Sequence, residues 1–580
     1  MATPAATDKT IRIARFFSYP KQVLYLVASF IALVSLCHFI SVIYRYATRK
    51  TTYSGQRTSA SISRLPLAVI DSIKALTMRW TIHIGSSYTF NFAELFVVIG
   101  YMGVLFSWTF VNTTTLEGQL VEPHYYANRA GTIAASQLPI MTALGMKNNL
   151  ISALTGIGFD KLNFLHRMAA RTFVVLAWIH GGGRLTVGLL DDETINHHWV
   201  QCGFLAASTL TVLCILTVRP LRERNYELFI VIHHVLALLF SLAILIHLTG
   251  RTLTYYGAWP SLVVWGVDRL LSAGKLVIFN FGYFNPWSTS SSDLDARVEV
   301  LSHHFLKVTL RRSKLFYWRP GQSAYLAFPT VSALPSESHP FTMSTIYNSS
   351  GDSNQLTFFL RVRKGFTARL LKAASKDQTY KVFVNGPYSS PPILLGYQSI
   401  MLFAGGSGVA FTLPLFLSVI SRAKRGESTC SRLTFVWAIR DADQIKWIED
   451  VLLSAIDGLP NSISVAIKLY VTAVLGDSEA FAEDDPSRED LEDEKAPSTP
   501  SSQYGSKLLE SPITSLDQGR PDVNALIQSE INADTGPISI NACGTRSLAE
   551  AVRQAIRVPR PLDVMRGGPT VSLHIEPFGV

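Results

Sequence analysis

The sequence predicts a multi-pass α-helical membrane domain followed by a soluble module, which contains a β-rich domain and an α/β domain. Of its 580 residues, 48% are hydrophobic and only 16% are charged. Several apolar runs approach the roughly 20 residues that a helix needs to cross a bilayer. After about residue 290, shorter runs alternate like strands between Pro- and Gly-marked turns. The length also exceeds one ordinary core, which favours two or three domains.

The apolar runs predict seven membrane spans. They lie at about 22–44, 89–111, 129–146, 164–187, 200–218, 227–249 and 256–274. Basic side chains cluster in 219–225 and 268–275, whereas the loop 186–199 is acidic. Because cytosolic loops are enriched in Lys and Arg, the linker 45–88 and the soluble module are predicted to be cytosolic. The loop 186–199 then faces the other side of the membrane.

Charge and cysteine content argue against a nucleic-acid-binding protein, a cysteine-ligated metal site and a disulfide-rich fold. The formal net charge is +10, but no basic stripe interleaved with aromatic residues appears, so nucleic acid is not an expected partner. Much of the basic excess lies beside the apolar runs, where it sets topology. The five cysteines show neither metal-ligand spacing nor a disulfide framework.

Two predicted spans carry histidines at matched spacing. His166 and His180 are fourteen residues apart, and so are His233 and His247. Fourteen residues bring a helical side chain back to within about 40° of its starting direction, about 21 Å along the axis. If the two helices run side by side in the same direction, His166 faces His233 and His180 faces His247. Facing imidazoles suit bis-histidine ligation of haem iron, so the pattern predicts two b-type haems in the two leaflets.

A single buried histidine is more often a hydrogen-bonding residue between helices than a ligand. Four histidines at matched spacing on parallel spans favour haem ligation. His234 is an alternative to His233, because the two are adjacent. His234 lies thirteen residues before His247, which places it about 140° from that face of the helix. Helix geometry therefore favours His233.

The soluble half carries an ordered series of short motifs. HPFTMS (339–344) follows a strand-like segment, and RVRKGFT (361–367) and NGPY (385–388) come next. SIMLFAGGSGVAFTLP (399–414) then reads as a strand, a Gly-rich turn and a helix. Glycines let the backbone approach a phosphate, and a helix N-terminus stabilises its charge. GGSG alone is weak evidence, but its place in this order indicates a nucleotide site.

From about residue 89, the chain resembles the fungal ferric reductases, whose superfamily also contains the NADPH oxidases. The resemblance rests on RAGTIAASQLP, NNLISALTG, FLHRMAARTF, NYELFIVIHHVL and HPFTMS and covers about four-fifths of the chain. NYELFIVIH places Glu227, Phe229 and His233 on a family pattern in which the histidine is the ligand. The resemblance implies a ferredoxin-reductase-like module in which a β-barrel FAD domain precedes an α/β NADPH domain.

The resemblance also implies cofactor-binding residues. For FAD these are His339, Pro340, Phe341, Thr342 and Ser344, with Gly365 and Thr367 at the pyrophosphate. For the NADPH phosphates they are Gly405, Gly406 and Gly408, with Arg520 of GRP (519–521) at the 2′-phosphate. Cys543 and Gly544 match a pair beside the nicotinamide, although a buried thiol at a strand end explains Cys543 equally well. Glu576 and Phe578 match an acid–aromatic tail near flavin and nicotinamide, with a plain C-terminal tail as the alternative.

Four parts follow along the chain. They are an N-terminal span and linker (1–88), the haem domain (89–275), the FAD domain (290–395) and the NADPH domain (396–580). An acidic, Ser- and Pro-rich stretch at about 476–518 cannot bury a core, so it is predicted to be a disordered insertion.

The expected function is transfer of electrons from cytosolic NADPH through FAD and two haems to ferric chelates, with Cu(II) as a further acceptor. The rival enzyme is an NADPH oxidase that reduces dioxygen. A receptor or channel with seven spans is the alternative without catalysis, but it leaves HPFT, GGSG and GRP without a purpose. The outer loop carries Asp191, Asp192, Glu193, His197 and His198, which either attract metal or are simply solvated. A glycosylation signal at Asn112 suits the secretory pathway, and the plasma membrane is expected, with vacuolar or endosomal membranes as alternatives.

Overall fold

A computed structural model of the chain describes eleven segments. They are 4–48, 61–84, 88–188, 195–250, 257–284, 294–334, 337–348, 353–374, 378–472, 506–533 and 536–576. The chain divides into two units by its internal contacts. The first contains Met1–Ser41 and Ala93–Gly274, and the second contains Val42–Phe92 and Lys275–Val580.

The described residues of the first half of the chain are mostly helical. In chain order its elements are α1 (Pro4–Ala47), α2 (Leu65–Lys74), β1 (Thr81–Ile84), β2 (Tyr88–Asn91), α3 (Phe92–Phe110), α4 (Pro123–Ser136), α5 (Leu138–Leu144), α6 (Leu150–Thr155), α7 (Phe159–Val187), α8 (His198–Leu216), α9 (Arg219–Arg224), α10 (Tyr226–His247) and α11 (Trp259–Phe279). Within the described residues of this half, α1, α3, α8 and α10 are long and apolar enough to cross a membrane. Their large apolar side chains point outward, as lipid-facing side chains do.

The third predicted span is not one continuous helix. The run 129–146 is divided between α4, which ends at Ser136, and α5, which begins at Leu138. Pro139 occupies the first turn of α5, where its missing N–H is tolerated. In a helix interior the same residue would break a hydrogen bond and clash with the preceding turn.

The predicted FAD domain forms two antiparallel sheets around one core. Its elements are α12 (Phe281–Phe284), β3 (Ala296–Ser302), β4 (Phe305–Ser313), β5 (Ser323–Ala327), β6 (His339–Thr342), β7 (Ser353–Arg361), α13 (Phe366–Ala373), β8 (Thr379–Tyr380) and β9 (Phe383–Tyr388). One sheet has the order β7-β4-β3-β8 and the other β6-β5-β9. Alternate side chains of β4 and β5 point into the shared core, as period-two patterning requires.

The C-terminal region is a parallel α/β sheet. Its elements are β10 (Ser399–Gly405), α14 (Val409–Lys424), β11 (Arg432–Ile439), α15 (Glu449–Ile456), β12 (Ser464–Val471), β13 (Thr514–Gln518), α16 (Val523–Ala533), β14 (Ile538–Cys543), α17 (Arg546–Ala555), α18 (Pro561–Met565) and β15 (Val571–Glu576). The strand order is β13-β12-β11-β10-β14-β15, and neighbouring strands pair in parallel. The order reverses between β10 and β14, and such a switch point leaves a crevice at the carboxyl ends of the strands. The segment Gly406–Lys424, which contains α14, is long and apolar enough to cross a membrane. However, 72% of its apolar stretch is buried inside the protein, and α14 packs against this sheet.

The predicted disordered insertion ends earlier than expected. Residues 473–505 lie outside the described residues. Lys507–Glu510 form a 3₁₀ turn, and Thr514–Gln518 form strand β13, which pairs with β12. The boundary at about 518 was therefore wrong, because Ile513 and Leu516 pack against the core despite the polar residues before them.

The predicted linker 45–88 is also partly folded. Residues 61–84 belong to the same unit as the α/β sheet. Ile62–Arg64 form a 3₁₀ turn, and helix α2 follows directly. The Ser61 amide donates to the carbonyl of Met565 at 3.0 Å, so this segment is docked on α18. The apolar residues of 65–84 are too few for a membrane span, and no motif in the segment indicated what it packs against.

Candidate functional site

Two of the four predicted haem-ligand histidines lie directly opposite each other. The ring centroids of His180 on α7 and His247 on α10 are 6.2 Å apart. A metal held between two imidazoles needs two metal–nitrogen bonds of about 2 Å each. Adding the two ring radii gives a centroid separation of this order. The distance between His180 and His247 thus matches that between two imidazoles on a single metal ion.

Three of the histidines are oriented by the same kind of hydrogen bond. Nδ1 of His180 donates to the carbonyl of Ala127 at 3.0 Å, and Nδ1 of His247 donates to that of Trp199 at 2.8 Å. His166 makes the equivalent bond with the carbonyl of Met141 at 2.8 Å. A carbonyl can only accept, so each Nδ1 carries the proton. The lone pair is then on Nε2, which is the arrangement that metal-ligating histidines use.

His233 differs from the other three histidines. Its Nδ1 is buried and has no hydrogen-bond partner among the described residues. His166 lies within electrostatic range of it, and the ring of Phe229 is 5.5 Å away. His234 is exposed, and its Nδ1 donates to the carbonyl of Ile230 on the same helix at 2.7 Å. His233 and His166 are therefore the inward-facing pair, whereas His234 faces out of the helical unit.

Sequence reasoning missed Arg129, a buried arginine on α4. Its side chain is 1% exposed. Nη1 donates to the carbonyls of Thr109 and Val111, and the guanidinium lies 4.7 Å from the centroid of the Tyr19 ring. Nε and Nη2 are buried without a partner among the described residues. Unpaired cationic donors in an apolar unit suit an anionic group, and a charged residue in an apolar segment was the available signal.

The HPFT strand β6 is held by a buried carboxylate that the sequence motifs did not include. Glu337 is 2% exposed. Its two oxygens accept from Arg369 at 2.5 and 2.7 Å and from the Ala333 amide at 2.5 Å. Nε2 of His339 lies 3.2 Å from Oε1 of Glu337, and the His339 ring stacks on Phe366 at 4.9 Å. His339 is thereby fixed between Glu337 and helix α13.

Other predicted FAD residues differ in how open they are. Pro340 is exposed, and Phe341 and Thr342 are half-buried, so a ligand could reach them. The hydroxyl of Ser344 is buried and donates to the carbonyl of Ala410 at 3.2 Å. The hydroxyl of Thr367 is engaged at 2.7 Å by the amide of Arg363. The hydroxyl groups of Ser344 and Thr367 therefore hydrogen-bond to the protein's own backbone.

Gly365 is the N-cap residue of α13 and has a φ of +83°, a conformation that favours glycine. A Cβ at this position would meet nothing within 4 Å. The backbone before the helix is thus open on the side where a pyrophosphate would approach the helix N-terminus.

The Gly-rich turn lies at the switch point of the parallel sheet. A Cβ on Gly408 would lie 2.0 Å from the carbonyl oxygen of Cys543, and one on Gly544 would lie 3.0 Å from the amide nitrogen of Gly405. These glycines let the ends of β10 and β14 touch, backbone to backbone. Gly406 has a φ of +52° and open space around its Cα. Of the three glycines in the turn, Gly406 has open space beside its Cα, whereas a Cβ on Gly405 or Gly408 would contact the backbone of residues 543–544.

Cys543 and Glu576 are direct neighbours in the register of β14 and β15. Burial raises the pKa of the Cys543 thiol above its ordinary value, and the Glu576 carboxylate adds to this effect. His574, which the sequence analysis did not select, lies 3.1 Å from Glu576 and stacks on Phe411. Phe578 lies outside the described residues. Cys543, His574 and Glu576 lie at the carboxyl ends of β14 and β15.

Arg520, the predicted 2′-phosphate residue, follows β13 and is exposed. Gly519 before it has a φ of +95°. Strand β13 is the edge strand of the sheet, three strands away from β10. Arg520 therefore lies at the carboxyl edge of the sheet, but on a different strand from the Gly-rich turn.

Three regions of the chain match known families. Residues 130–244 match the family described as ferric reductase like transmembrane component. Residues 291–392 match a FAD-binding domain, and residues 397–557 match the ferric reductase NAD binding domain. The first region contains α7 and α10 as far as residue 244, so His247 lies just beyond it. The second region contains the HPFT strand, and the third contains the Gly-rich turn.

Several fungal proteins are similar to this chain. A probable cell surface ferric reductase of Aspergillus oryzae is 27% identical over 376 residues, which cover 60% of this chain and 49% of the relative. Ferric/cupric reductase transmembrane component 1 of Candida albicans is 27% identical over 455 residues, which cover 75% of this chain and 55% of the relative. The chain thus spans about half the length of these curated relatives.

Among solved structures, the ferredoxin reductase of carbazole 1,9a-dioxygenase is 16% identical, with a TM-score of 0.30 over 49% of this chain and 68% of that one. That likeness is too weak to carry an argument. The assignment depends instead on the three family matches, in their order along the chain, and on the fungal relatives. Together they show that the chain belongs to the fungal ferric reductase family.

Proposed function

We propose that the protein is a transmembrane metalloreductase, which moves electrons from cytosolic NADPH through FAD and two haems to ferric chelates across the membrane. The observation that best supports this proposal is the pair His180 and His247, whose ring centroids are 6.2 Å apart. This pair lies in a helical unit that precedes an FAD-binding and a nucleotide-binding domain. Cupric ions are a second substrate, and the activity would serve iron uptake.

The four histidines would hold the two haem irons. His180 and His247 would ligate one iron, and His166 and His233 would ligate the other. The Nδ1–H bonds of His166, His180 and His247 support this assignment, because they put the proton on Nδ1 and the lone pair on Nε2. The unpaired donors of Arg129 would meet an anionic group such as a haem propionate.

Residues around β6 would hold FAD. Phe341 would lie against the flavin ring, with Thr342, Pro340 and His339 beside it. Glu337 and Phe366 support this role by fixing the His339 side chain. Gly365 at the start of α13 would approach the pyrophosphate, since its Cα faces open space. Ser344 and Thr367 would act mainly by holding the surrounding backbone in place.

The carboxyl ends of β10 and β14 would hold NADPH. Gly406 and the N-terminus of α14 would face the phosphates, while Gly405, Gly408 and Gly544 keep the turn closed. Arg520 would meet the 2′-phosphate. Cys543, Glu576 and Phe578 would flank the nicotinamide and exclude water there. When bound, flavin supplies the conversion of a two-electron hydride donor into single electrons, which haem iron can carry.

The acceptor would be met on the side opposite the soluble module. Asp191, Asp192 and Glu193 of the predicted outer loop lie outside the described residues. His197 is the N-cap residue of α8, and His198 is its first residue. We place the protein in the plasma membrane, as the cell surface description of the Aspergillus oryzae relative supports. We expect glycosylation at the exposed Asn112.

A reduced-minus-oxidised spectrum of membranes containing the full chain tests this function. We expect a b-type α-band that NADPH fills and ferric citrate drains. Variants His180→Ala and His247→Ala should each lose the same half of the band. Arg425→Ala, a distant change at an exposed ion pair, should keep the whole band.

The same experiment separates the alternatives. A band that ferric citrate leaves reduced, but that dioxygen drains, would identify an NADPH oxidase instead. Well-expressed protein without any haem band would exclude both reductase and oxidase, and would favour a receptor or channel.

A further inference from the structure

Three glycines lie directly behind three of the histidine rings. A Cβ on Gly203 would lie 2.7 Å from Nδ1 of His247, and one on Gly131 would lie 2.8 Å from Nδ1 of His180. A Cβ on Gly145 would lie 3.0 Å from Nδ1 of His166. These distances are shorter than an ordinary carbon–nitrogen contact. A methyl group at any of the three positions would therefore push the ring out of its place.

Each glycine is four residues after the carbonyl that its histidine uses. Gly131 follows Ala127, and both lie on α4. Gly203 follows Trp199 on α8, and Gly145 follows Met141 at the end of α5. The same arrangement of carbonyl, glycine and Nδ1–H thus occurs three times in one helical unit.

The spacing has a physical reason. In a helix the Cα–Cβ bond tilts towards the N-terminus, so a side chain covers the turn before it. The side chain at position i+4 therefore covers the outward face of the carbonyl at position i. Glycine at i+4 uncovers that carbonyl, so the imidazole can reach it from the side and donate its Nδ1 proton.

General packing of small residues between helices does not explain the pattern. Small residues are common where membrane helices approach closely. In the same unit, however, a Cβ on Gly100, Gly103, Gly181 or Gly182 would meet nothing within 4 Å. Gly181 is next to His180 in the sequence, yet it faces open space. A Cβ on Gly156, Gly183 or Gly257 of this unit would also lie 2.3 to 2.7 Å from another residue, but those residues are His38, Ala127 and Ala135. Among the glycines of this unit for which contacts are described, those that would touch Nδ1 of a predicted ligand histidine are the ones that follow the acceptor carbonyls.

We infer that Gly131, Gly145 and Gly203 are positioning residues, which set the ring orientation and tautomer of His180, His166 and His247. This inference rests on the proposed haem ligation. Among the described residues, no glycine lies against the ring of His233, and its Nδ1 has no hydrogen-bond partner. One predicted haem would therefore have two oriented ligands, and the other would have only one. Hydrogen bonds to the ligands are one of the means by which proteins set the reduction potential of haem iron.

The test compares three single variants of the full-length protein in membranes: Gly131→Ala, Gly203→Ala and Gly145→Ala. The readout is the low-spin ferric haem signals in electron paramagnetic resonance, which depend on ligand orientation, together with haem content. Gly131→Ala and Gly203→Ala should shift or abolish the same signal and leave the other unchanged. Gly145→Ala should affect the second signal alone. Gly181→Ala is the matched control and should leave both signals unchanged.

Two results would overturn the inference. One is that both haem signals remain unchanged in all three variants. The other is that each variant loses both signals alike, since the glycines would then act on the fold rather than on one ring. Wild-type protein without any haem signal would instead overturn the proposed function, so the two failures are distinguishable.

Discussion

Arg79 and Asp71 form a buried ion pair, with Nη2 and Oδ1 3.0 Å apart, that holds the start of edge strand β15. The Val571 amide donates to Oδ1 of Asp71 at 3.1 Å, and Nη2 of Arg79 donates to the Val571 carbonyl at 2.7 Å. Nη1 of Arg79 also donates to the carbonyl of Ile556 at 2.9 Å. The segment after the first span thus supplies hydrogen-bond partners to the Val571 amide and carbonyl at the edge of the sheet, as a neighbouring strand would.

Arg79→Ala should strongly destabilise the soluble module. It would leave the Asp71 carboxylate buried without its cation, and breaking a buried pair in this way costs about 3–5 kcal/mol. Thermal unfolding of the detergent-solubilised protein measures the effect. Arg425→Ala, at an exposed ion pair with Glu427, is the control and should change little. Equal melting temperatures for the two variants would show that the pair does not fasten this segment.

His233→Ala should lose one haem, and His234→Ala should retain both. His233 faces the interior beside His166, whereas His234 is exposed and donates from Nδ1 to the carbonyl of Ile230 on its own helix. Haem content per protein, measured from the pyridine haemochrome spectrum, distinguishes them. Equal haem retention in the two variants would contradict this assignment of the ligand.

Gly408→Ala and Gly406→Ala should differ in kind. A Cβ at Gly408 would lie 2.0 Å from the carbonyl oxygen of Cys543, so the nucleotide domain should misfold. At Gly406 there is space, and the cost of its φ of +52° is only about 1–2 kcal/mol. Gly406→Ala should therefore fold but show a raised KM for NADPH. Thermal unfolding and steady-state kinetics give the two readouts, and an unchanged KM would remove Gly406 from the phosphate site.

Cys543 should resist alkylation in the native protein. Burial, with a further contribution from Glu576, raises the pKa of its thiol, so it stays protonated at neutral and mildly alkaline pH. The thiolate is the reactive form. Iodoacetamide labelling at pH 8, followed by mass spectrometry, should modify Cys543 only after denaturation. Rapid labelling of folded protein would instead indicate an activated thiolate at the nicotinamide site.

Glu337 should make stability fall in acid. Burial opposes its charge, but hydrogen bonds from His339, Ala333 and Arg369 outweigh this and hold the pKa of Glu337 below its ordinary value of 4.5. A lowered folded-state pKa stabilises the protein fully above the ordinary value and loses that effect as pH falls through the folded value. Glu337→Gln should lower the melting temperature at pH 7 and flatten its decline below about pH 4.5. An unchanged acid profile would show that other carboxylates control it.

Much of the architecture was predictable because its signals are local. Apolar run length separates the membrane part from the soluble part, and the family assignment from short motifs is confirmed by three domain matches. The fourteen-residue spacing predicted which histidines share a helix face, because helix periodicity alone sets which face a side chain occupies, and the packing of α7 and α10 places His180 opposite His247. The run 129–146 was misjudged, since a span-length apolar segment can still be broken at a proline.

The remaining features depend on contacts between residues that are far apart in the chain. Arg79 and Val571 are 492 positions apart, and nothing local to 61–84 indicates that it docks on a sheet edge. His247 on α10 likewise contacts a carbonyl and a glycine on another helix, Trp199 and Gly203 of α8. Sequence therefore determined the order of the domains, the helix faces and the family. Tertiary structure alone decided which carbonyl orients each histidine and where buried charges find partners, because packing brings those groups together.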